Sequence, residues 1–335
     1  MIVLSRDDVR SVLDLDRLVD ALADAMADLS AGRTSMPPRS SVAVPERHGT
    51  LFSMSAFLPS SGVLATKLVT LFPLNTDRPT HQAVICCFDP SDGRPLALMD
   101  GTYITAIRTA AGSALATRLL ARRDARTACV IGTGVQAHAH VTLLARQPDL
   151  ERIRVAGRDA ARVARLADEF AKAGLRVEAA PSIEEGVRSA DVVCAATHSD
   201  RPVVRRAWLR PGTHVNVVGW NASGDGEVDA DTIRDSLVVV ESRAAALAGP
   251  TSAGAFELRR AIETGVITAD HVHAEIGELV SGTVTGRSDD GQITLYRSVG
   301  VAVQDAAAAG LVLRGAQRHG VGSVLALEEM TAAGL

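Results

Sequence analysis

The densest chemical signal in the chain is Gly132-Thr133-Gly134-Val135-Gln136-Ala137, a G-x-G-x-x-A run. It follows the apolar stretch ACVI and opens a segment with helical periodicity, the context in which such a run binds a dinucleotide. Gly132 permits the tight turn, Gly134 lets backbone approach a pyrophosphate, and Ala137 is small enough for helix and strand to pack closely. The helix N-terminus supplies amide donors for the phosphates. About twenty residues on, an NAD enzyme places Asp or Glu to accept the ribose hydroxyls. Here the corresponding tip reads Ala156-Gly157-Arg158-Asp159. Gly157 has no carboxylate and Arg158 suits a bidentate clamp on a 2′-phosphate. NADP(H) is therefore favoured, with NAD(H) open as the alternative if Asp159 turns back to the ribose. A second signal is Lys67 inside LATKLVTLF, because an ammonium flanked by Leu and Val in a strand is costly without a partner.

The elements around these residues fall into two groups. From Thr127 onward, ACVIG, IRVAG, RVEA, DVVCAAT, THVNVVG and SLVVVES read as short strands. The helical segments between them include one after Gly134, one over 160–173 and one near 182–188. That alternation predicts an α/β fold, a doubly wound parallel sheet of Rossmann type. Before it lies a mixed α+β region. Asp16 to Ala31 has helical spacing, MPPRSS marks a turn, and 64–72, 83–88 and 95–99 read as strands, the last two joined by the turn Asp89–Gly93. Ala-rich 105–121 predicts a long connecting helix. Another Ala-rich helix, 304–320, is expected to fold back on the first region. The expected units are thus 1–120 with 304–335, and 121–303 for the dinucleotide.

A net charge of -4 gives no field for nucleic acid, and 3% aromatic residues provide few stacking platforms for bases. Hydrophobic content of 47% with 22% charged residues is ordinary for a globular chain. The start, MIVLSRDDVR, breaks any apolar leader with an aspartate pair, and no segment approaches the roughly 18 unbroken apolar residues of a membrane span. Cytoplasm is the expected compartment and a small molecule the expected partner. Cys86, Cys87, Cys129 and Cys194 sit in apolar runs without metal-ligand spacing, so they are read as core thiols, with no metal.

Three blocks, taken in order, resemble the ornithine cyclodeaminase and mu-crystallin family over nearly the whole chain. They are PTHQAVICCFDPSDGRPLALMDGTYITAIRTAAGSALATRLL leading into GTGVQAHAH, then GTHVNVVGWNASGDGEVD, then EIGELVSGTVTGRSDDGQITLYRSVGVAVQDAAAA. The first block is nearest to the mu-crystallin-like ketimine and pyrroline-2-carboxylate reductases of that family. The resemblance implies a homodimer whose substrate carboxylate is held by Arg39, Lys67 and Arg108, with Val299 at the pocket. It implies cofactor contacts at Gln82, Val135, Gln136, Thr197, Val215, Val217, Val218 and Ser298, beside Gly132, Gly134 and Arg158. His81 neighbours the pocket and is a candidate proton donor, as is Lys67.

One departure bears on the chemistry. Cyclodeaminases of this family carry Asp in the loop after the THVNVVG strand, where this chain has Asn221 beside Trp220. Cyclisation of ornithine removes and returns a hydride and expels ammonia, which calls for a titratable carboxylate. Asn only donates and accepts hydrogen bonds. Reduction of an imine asks less: a protonated C=N held by its carboxylate so that its carbon faces the nicotinamide. The expected activity is therefore NAD(P)H-dependent reduction of a small cyclic or linear α-imino acid to the L-amino acid. The alternatives are an ornithine or lysine cyclodeaminase, an alanine-dehydrogenase-like enzyme, and a binding protein that keeps the dinucleotide pocket without turnover.

Overall fold

Residues with period-2 burial before Gly101 and short, wholly buried runs after Thr127 build two sheets of different character. The computed structural model describes residues 1–219, 225–249 and 253–326. The first sheet runs in the order Ser323–Val324, Ile2–Leu4, Pro95–Asp100, His81–Phe88, Val63–Leu71, Gly49–Leu58, Ser40–Val44. It is antiparallel except where Ile2–Leu4 pairs with Pro95–Asp100. One face packs under helices Gly101–Leu120 and Ala302–His319. The other exposes Val42, Leu68 and Val84 at 63%, 41% and 43%.

The second sheet has eight strands, all parallel: Val272–Glu275, Ser236–Val240, Ile293–Arg297, His214–Val217, Val192–Ala195, Thr127–Ile131, Arg152–Ala156, Val177–Ala179. It is buried on both faces, so its strands are continuous apolar runs rather than alternating ones. The chain winds outward from Thr127–Ile131 in one direction and then back past it in the other, which is the doubly wound, Rossmann-type arrangement.

Between the sheets runs Gly101–Leu120, buried almost along its whole length because Ala, Gly and Ser dominate it. It begins one turn earlier than its Ala-rich periodicity predicts, since the Asp100 carboxylate accepts from the Tyr103 amide and caps it. Helix Ala302–His319 lies against strands Gly49–Leu58 and Val63–Leu71 and against helix Leu15–Ser30.

Six of the described strands escape the sequence patterns: Ser40–Val44, Gly49–Leu58, Val272–Glu275, Ile293–Arg297 and the short Ile2–Leu4 and Ser323–Val324. The first pair is polar at its edge and broken by the Pro45–Arg47 turn. Ile293–Arg297 inserts between His214–Val217 and Ser236–Val240 although it is late in the chain, so no local rhythm announces it.

Candidate active site

Helix, strand and loop bring three cations to one point. Lys67, near the middle of strand Val63–Leu71, extends its ammonium to 2.7 Å from Asp305 Oδ2 on helix Ala302–His319. Arg108, from the buried connecting helix, donates through Nε to Asp305 Oδ1 at 3.0 Å and through Nη1 to Gln304 Oε1 at 2.8 Å. Arg39 enters from the loop before Ser40–Val44, and its Nη2 donates to the carbonyls of Val299 at 3.2 Å and Gly300 at 2.6 Å. That turn is built for close approach. Gly300 has φ +73, and a Cβ there would stand 2.7 Å from Arg108 Nη1.

A buried carboxylate holds the turn from behind. Glu241 accepts from the Ser298 hydroxyl at 2.6 Å, the Val299 amide at 2.8 Å and the Gly300 amide at 3.1 Å. The turn itself continues strand Ile293–Arg297, and Ser298 N donates to Val217 O at 2.9 Å. The cation cluster therefore sits at the carboxyl edge of the parallel sheet, where ligands of open α/β sheets bind.

Burial sets the electrostatics. It drives the Lys67 ammonium down to about 7; Asp305 pulls it back up, while Arg108 and Arg39 push it down further. Burial works to raise the Asp305 carboxyl, but Arg108 and Lys67 outweigh it and hold it below the usual range. His81 falls to about 4, chiefly through burial, then through His198 and Lys67 nearby. Its ring faces that of His198 at 6.1 Å between centroids. An imidazole so depressed is neutral near pH 7 and is a poorer proton donor than Lys67.

The dinucleotide groove is shaped as the glycine run requires. Gly132 has φ +126, and a Cβ on it would lie 2.5 Å from the Ala196 carbonyl. Gly134 and Val135 are exposed, no side-chain cap covers the N-terminus of helix Val135–Leu144, and a Cβ at Gly134 would meet nothing within 4 Å. Gln136 keeps a buried, unpartnered Oε1 there. These features fit a dinucleotide pyrophosphate. Arg158 is exposed, and among the described residues no ion pair occupies it. Asp159 instead caps helix Ala160–Lys172 by accepting from Arg162 N at 3.1 Å.

Other expected contacts are placed less uniformly. Thr197 lies two residues beyond the strand Val192–Ala195, and its amide and hydroxyl donate to buried Glu227 at 2.6 and 2.7 Å. The other Glu227 oxygen accepts from Gly219 N at 2.6 Å. Burial lifts Glu227 to about 7 although Thr197 and Arg297 oppose it. Val215 and Val217 are core side chains, and Val218 beyond them is half-buried. Gln82 is not brought to the cations. It pairs with Thr70 while Lys67 pairs with Ile85, which puts it in the exposed set with Leu68 and Val84 on the opposite face. Asn221 and Trp220 lie outside the described residues.

Sequence reasoning missed Asp305, Glu241 and Glu227. Asp305 had a signal: Gln304-Asp305 is a polar pair inside the apolar VAVQDAAAAG, the counterpart of Lys67 inside its strand. Buried opposite charges imply each other. Glu241 and Glu227 serve backbone amides, and no spacing in sequence advertises that.

The chain from 1 to 319 matches the model of the Ornithine cyclodeaminase/mu-crystallin family. It is 34% identical over 304 residues to ketimine reductase mu-crystallin of Macropus fuliginosus, covering 88% of this chain and 90% of that one. It is also similar to Thermococcus litoralis Delta(1)-pyrroline-2-carboxylate reductase, solved in complex with NADH and L-proline. There the TM-score is 0.91 and identity 35%, with 97% of this chain and 100% of that chain covered. An archaeal alanine dehydrogenase dimer with bound NAD superposes with TM-score 0.87 and 32% identity, covering 96% and 98%.

Proposed function

We propose a reaction for this chain from one premise: the chain belongs to the ornithine cyclodeaminase/mu-crystallin family. It is an NAD(P)-dependent oxidoreductase that reduces the C=N bond of a small cyclic or linear α-imino acid, of the pyrroline- or piperideine-2-carboxylate kind, to the L-amino acid. The observation that carries this reading is the meeting of Arg39, Lys67 and Arg108 at the Ser298–Gly300 turn, on the carboxyl edge of the parallel sheet. Arg39 and Arg108 hold the substrate carboxylate by charged hydrogen bonds, each worth about 1.5–3 kcal/mol. Lys67, balanced near neutrality, keeps a proton at the imine nitrogen. The nicotinamide dinucleotide, whose pyrophosphate the Gly132–Gln136 turn would hold, would supply the hydride to the imine carbon.

NADP(H) is the preferred cofactor in this reading. Asp159 is committed to capping its helix, while Arg158 is exposed at the tip of the second strand. NAD(H) remains usable, as the NADH and NAD complexes of the two relatives support. The unit 1–120 with 304–335 holds the substrate and 121–303 the cofactor. The exposed strip of Val42, Leu68 and Val84 suits a second copy of the chain, and the alanine dehydrogenase relative is a dimer. No helix among the described residues is long and apolar enough to cross a membrane. All four cysteines are free thiols, which suits the reducing cytoplasm. The same clamp would serve an amino acid dehydrogenase working on ammonia and a 2-oxo acid, the second reading that the alanine dehydrogenase likeness supports.

The test is purified protein with NADPH or NADH and a panel of cyclic and open-chain imino acids, followed at the cofactor's absorbance band. Oxidation of the cofactor with cyclic imines is the expected result. Ammonia release from ornithine without imine reduction would replace this reading with a cyclodeaminase.

A further inference from the structure

The two arginines of the substrate site are tied together through one amide oxygen. Gln304 is wholly buried in the first turn of helix Ala302–His319. Its Oε1 accepts from Arg108 Nη1 at 2.8 Å and from the Val301 amide at 3.1 Å. That amide is one end of the planar Gly300–Val301 peptide, and the other end is the Gly300 carbonyl, which takes Arg39 Nη2 at 2.6 Å. The preceding plane is held in the same manner. Its amide, on Gly300, donates to Glu241 Oε1 at 3.1 Å, and its carbonyl, on Val299, takes Arg39 at 3.2 Å. Each carbonyl that orients Arg39 is thus fixed from behind by a buried side chain, and Gln304 holds both one of these planes and Arg108.

The bond to Val301 alone would be an ordinary helix cap, since the third residue of a helix often reaches back to the amide before it. Two observations go further: the same oxygen takes Arg108, and Gln304 Nε2 is buried without a hydrogen-bond partner. An unmet buried donor counts against stability, so part of what the cap adds is cancelled. Resting on the imino-acid reading above, we infer that Gln304 is a positioning residue, whose Oε1 sets Arg108 directly and Arg39 through the Gly300–Val301 peptide so that both guanidinium groups meet one substrate carboxylate. Without that oxygen, Arg108 keeps its Nε bond to Asp305 at 3.0 Å. Arg39 fares worse, because the Gly300 carbonyl belongs to a glycine with φ +73 and is freed to turn. The effect on substrate therefore runs mainly through Arg39.

Gln304→Met, of similar length, removes the acceptor. Kinetics with a cyclic imino acid and NADPH should show KM for the imine raised about tenfold with kcat within about threefold, the pattern of lost substrate hold rather than lost chemistry. NADPH affinity, read from cofactor fluorescence, should stay within about threefold, whereas a general loosening of the fold would lower it as well. In an Arg39→Met background, Gln304→Met should add less than about threefold to KM, because residues that act through one another are not additive. Gln304→Asn draws the oxygen back by one methylene, should show the same split, and carries the test where Gln304→Met does not fold. An unchanged KM in a folded variant overturns the inference. So does the full rise on top of Arg39→Met, or a rise in KM matched by an equal loss of NADPH affinity. If Arg39→Met itself leaves KM unchanged, or no imine is reduced by the wild type, the reading on which the inference rests is what fails.

Discussion

The Lys67 ammonium and the Asp305 carboxylate stand 2.7 Å apart with side-chain exposures of 1% and 2%, one on a strand of the N-terminal sheet and the other on the last long helix. The pair is not symmetrical. Asp305 also receives Arg108 Nε at 3.0 Å, whereas Lys67 has no second carboxylate among the described residues.

Removing each partner should therefore cost differently. Truncating one member of a buried ion pair costs about 3–5 kcal/mol, mostly from the charge left behind. Lys67→Met leaves Asp305 paired with Arg108, so its cost should fall at or below the bottom of that range. Asp305→Ala strands two buried cations and should fall at the top or above. Urea unfolding of both variants measures the order, and a smaller loss for Asp305→Ala would refute the asymmetry.

Stability should also depend on pH through Lys67. Its folded-state value lies near 7, below the ordinary 10.5 that it regains on unfolding. Below about 7 both states hold the proton, and the cost of burying the charge is present in full. Between about 7 and 10.5 only the unfolded state holds it, so stability rises with pH across that window. Lys67→Met should lose that slope. Activity should run the opposite way: with Lys67 as proton holder, the reductive kcat declines above about pH 7. A rate flat to pH 9 with a cyclic imine would assign the proton to another group.

How much of this was legible in the chain depends on locality. Gly132–Ala137 is read from six consecutive residues, because strand, turn and helix start are local events there. Lys67 could be suspected from its own neighbours, since LATKLVTLF announces a buried charge, but not its partner 238 positions away. Strand alternation puts Gln82 on the face away from Lys67, and only the register of Thr70 against Gln82 reveals that. Strand Ile293–Arg297, which delivers Ser298, Val299 and Gly300, owes its place to a late insertion between strands and left no periodic trace.

Arg158 should govern cofactor choice. Its guanidinium is exposed and without an ion-pair partner among the described residues, so Arg158→Ala removes nothing from the fold. A lost charged hydrogen bond of about 1.5–3 kcal/mol corresponds to about a ten- to 150-fold rise in KM. That rise is expected for NADPH, with NADH little changed. Equal effects on both cofactors would return the ribose to Asp159 and make Arg158 an ordinary surface charge.

The two glycines of the turn should fail in different ways. At Gly132 the backbone has φ +126 and a Cβ would meet the Ala196 carbonyl at 2.5 Å, with Ala196 itself fixed by its amide donating to Ile131 O at 2.9 Å. Gly132→Ala must move main chain, so the apo protein should lose about 2 kcal/mol or more. At Gly134 φ is -94 and the Cβ would enter open space, so Gly134→Ala should leave apo stability within about 0.5 kcal/mol. Its methyl would stand in the path of the pyrophosphate. Thermal unfolding with and without NADPH separates the two, since ligand that binds only the native state raises Tm. Gly132→Ala should start from a lower apo Tm, while Gly134→Ala should start at the wild-type Tm and show little or no NADPH-dependent rise. A full NADPH response in Gly134→Ala would mean that the phosphates do not pass over this turn, and the groove would need another location.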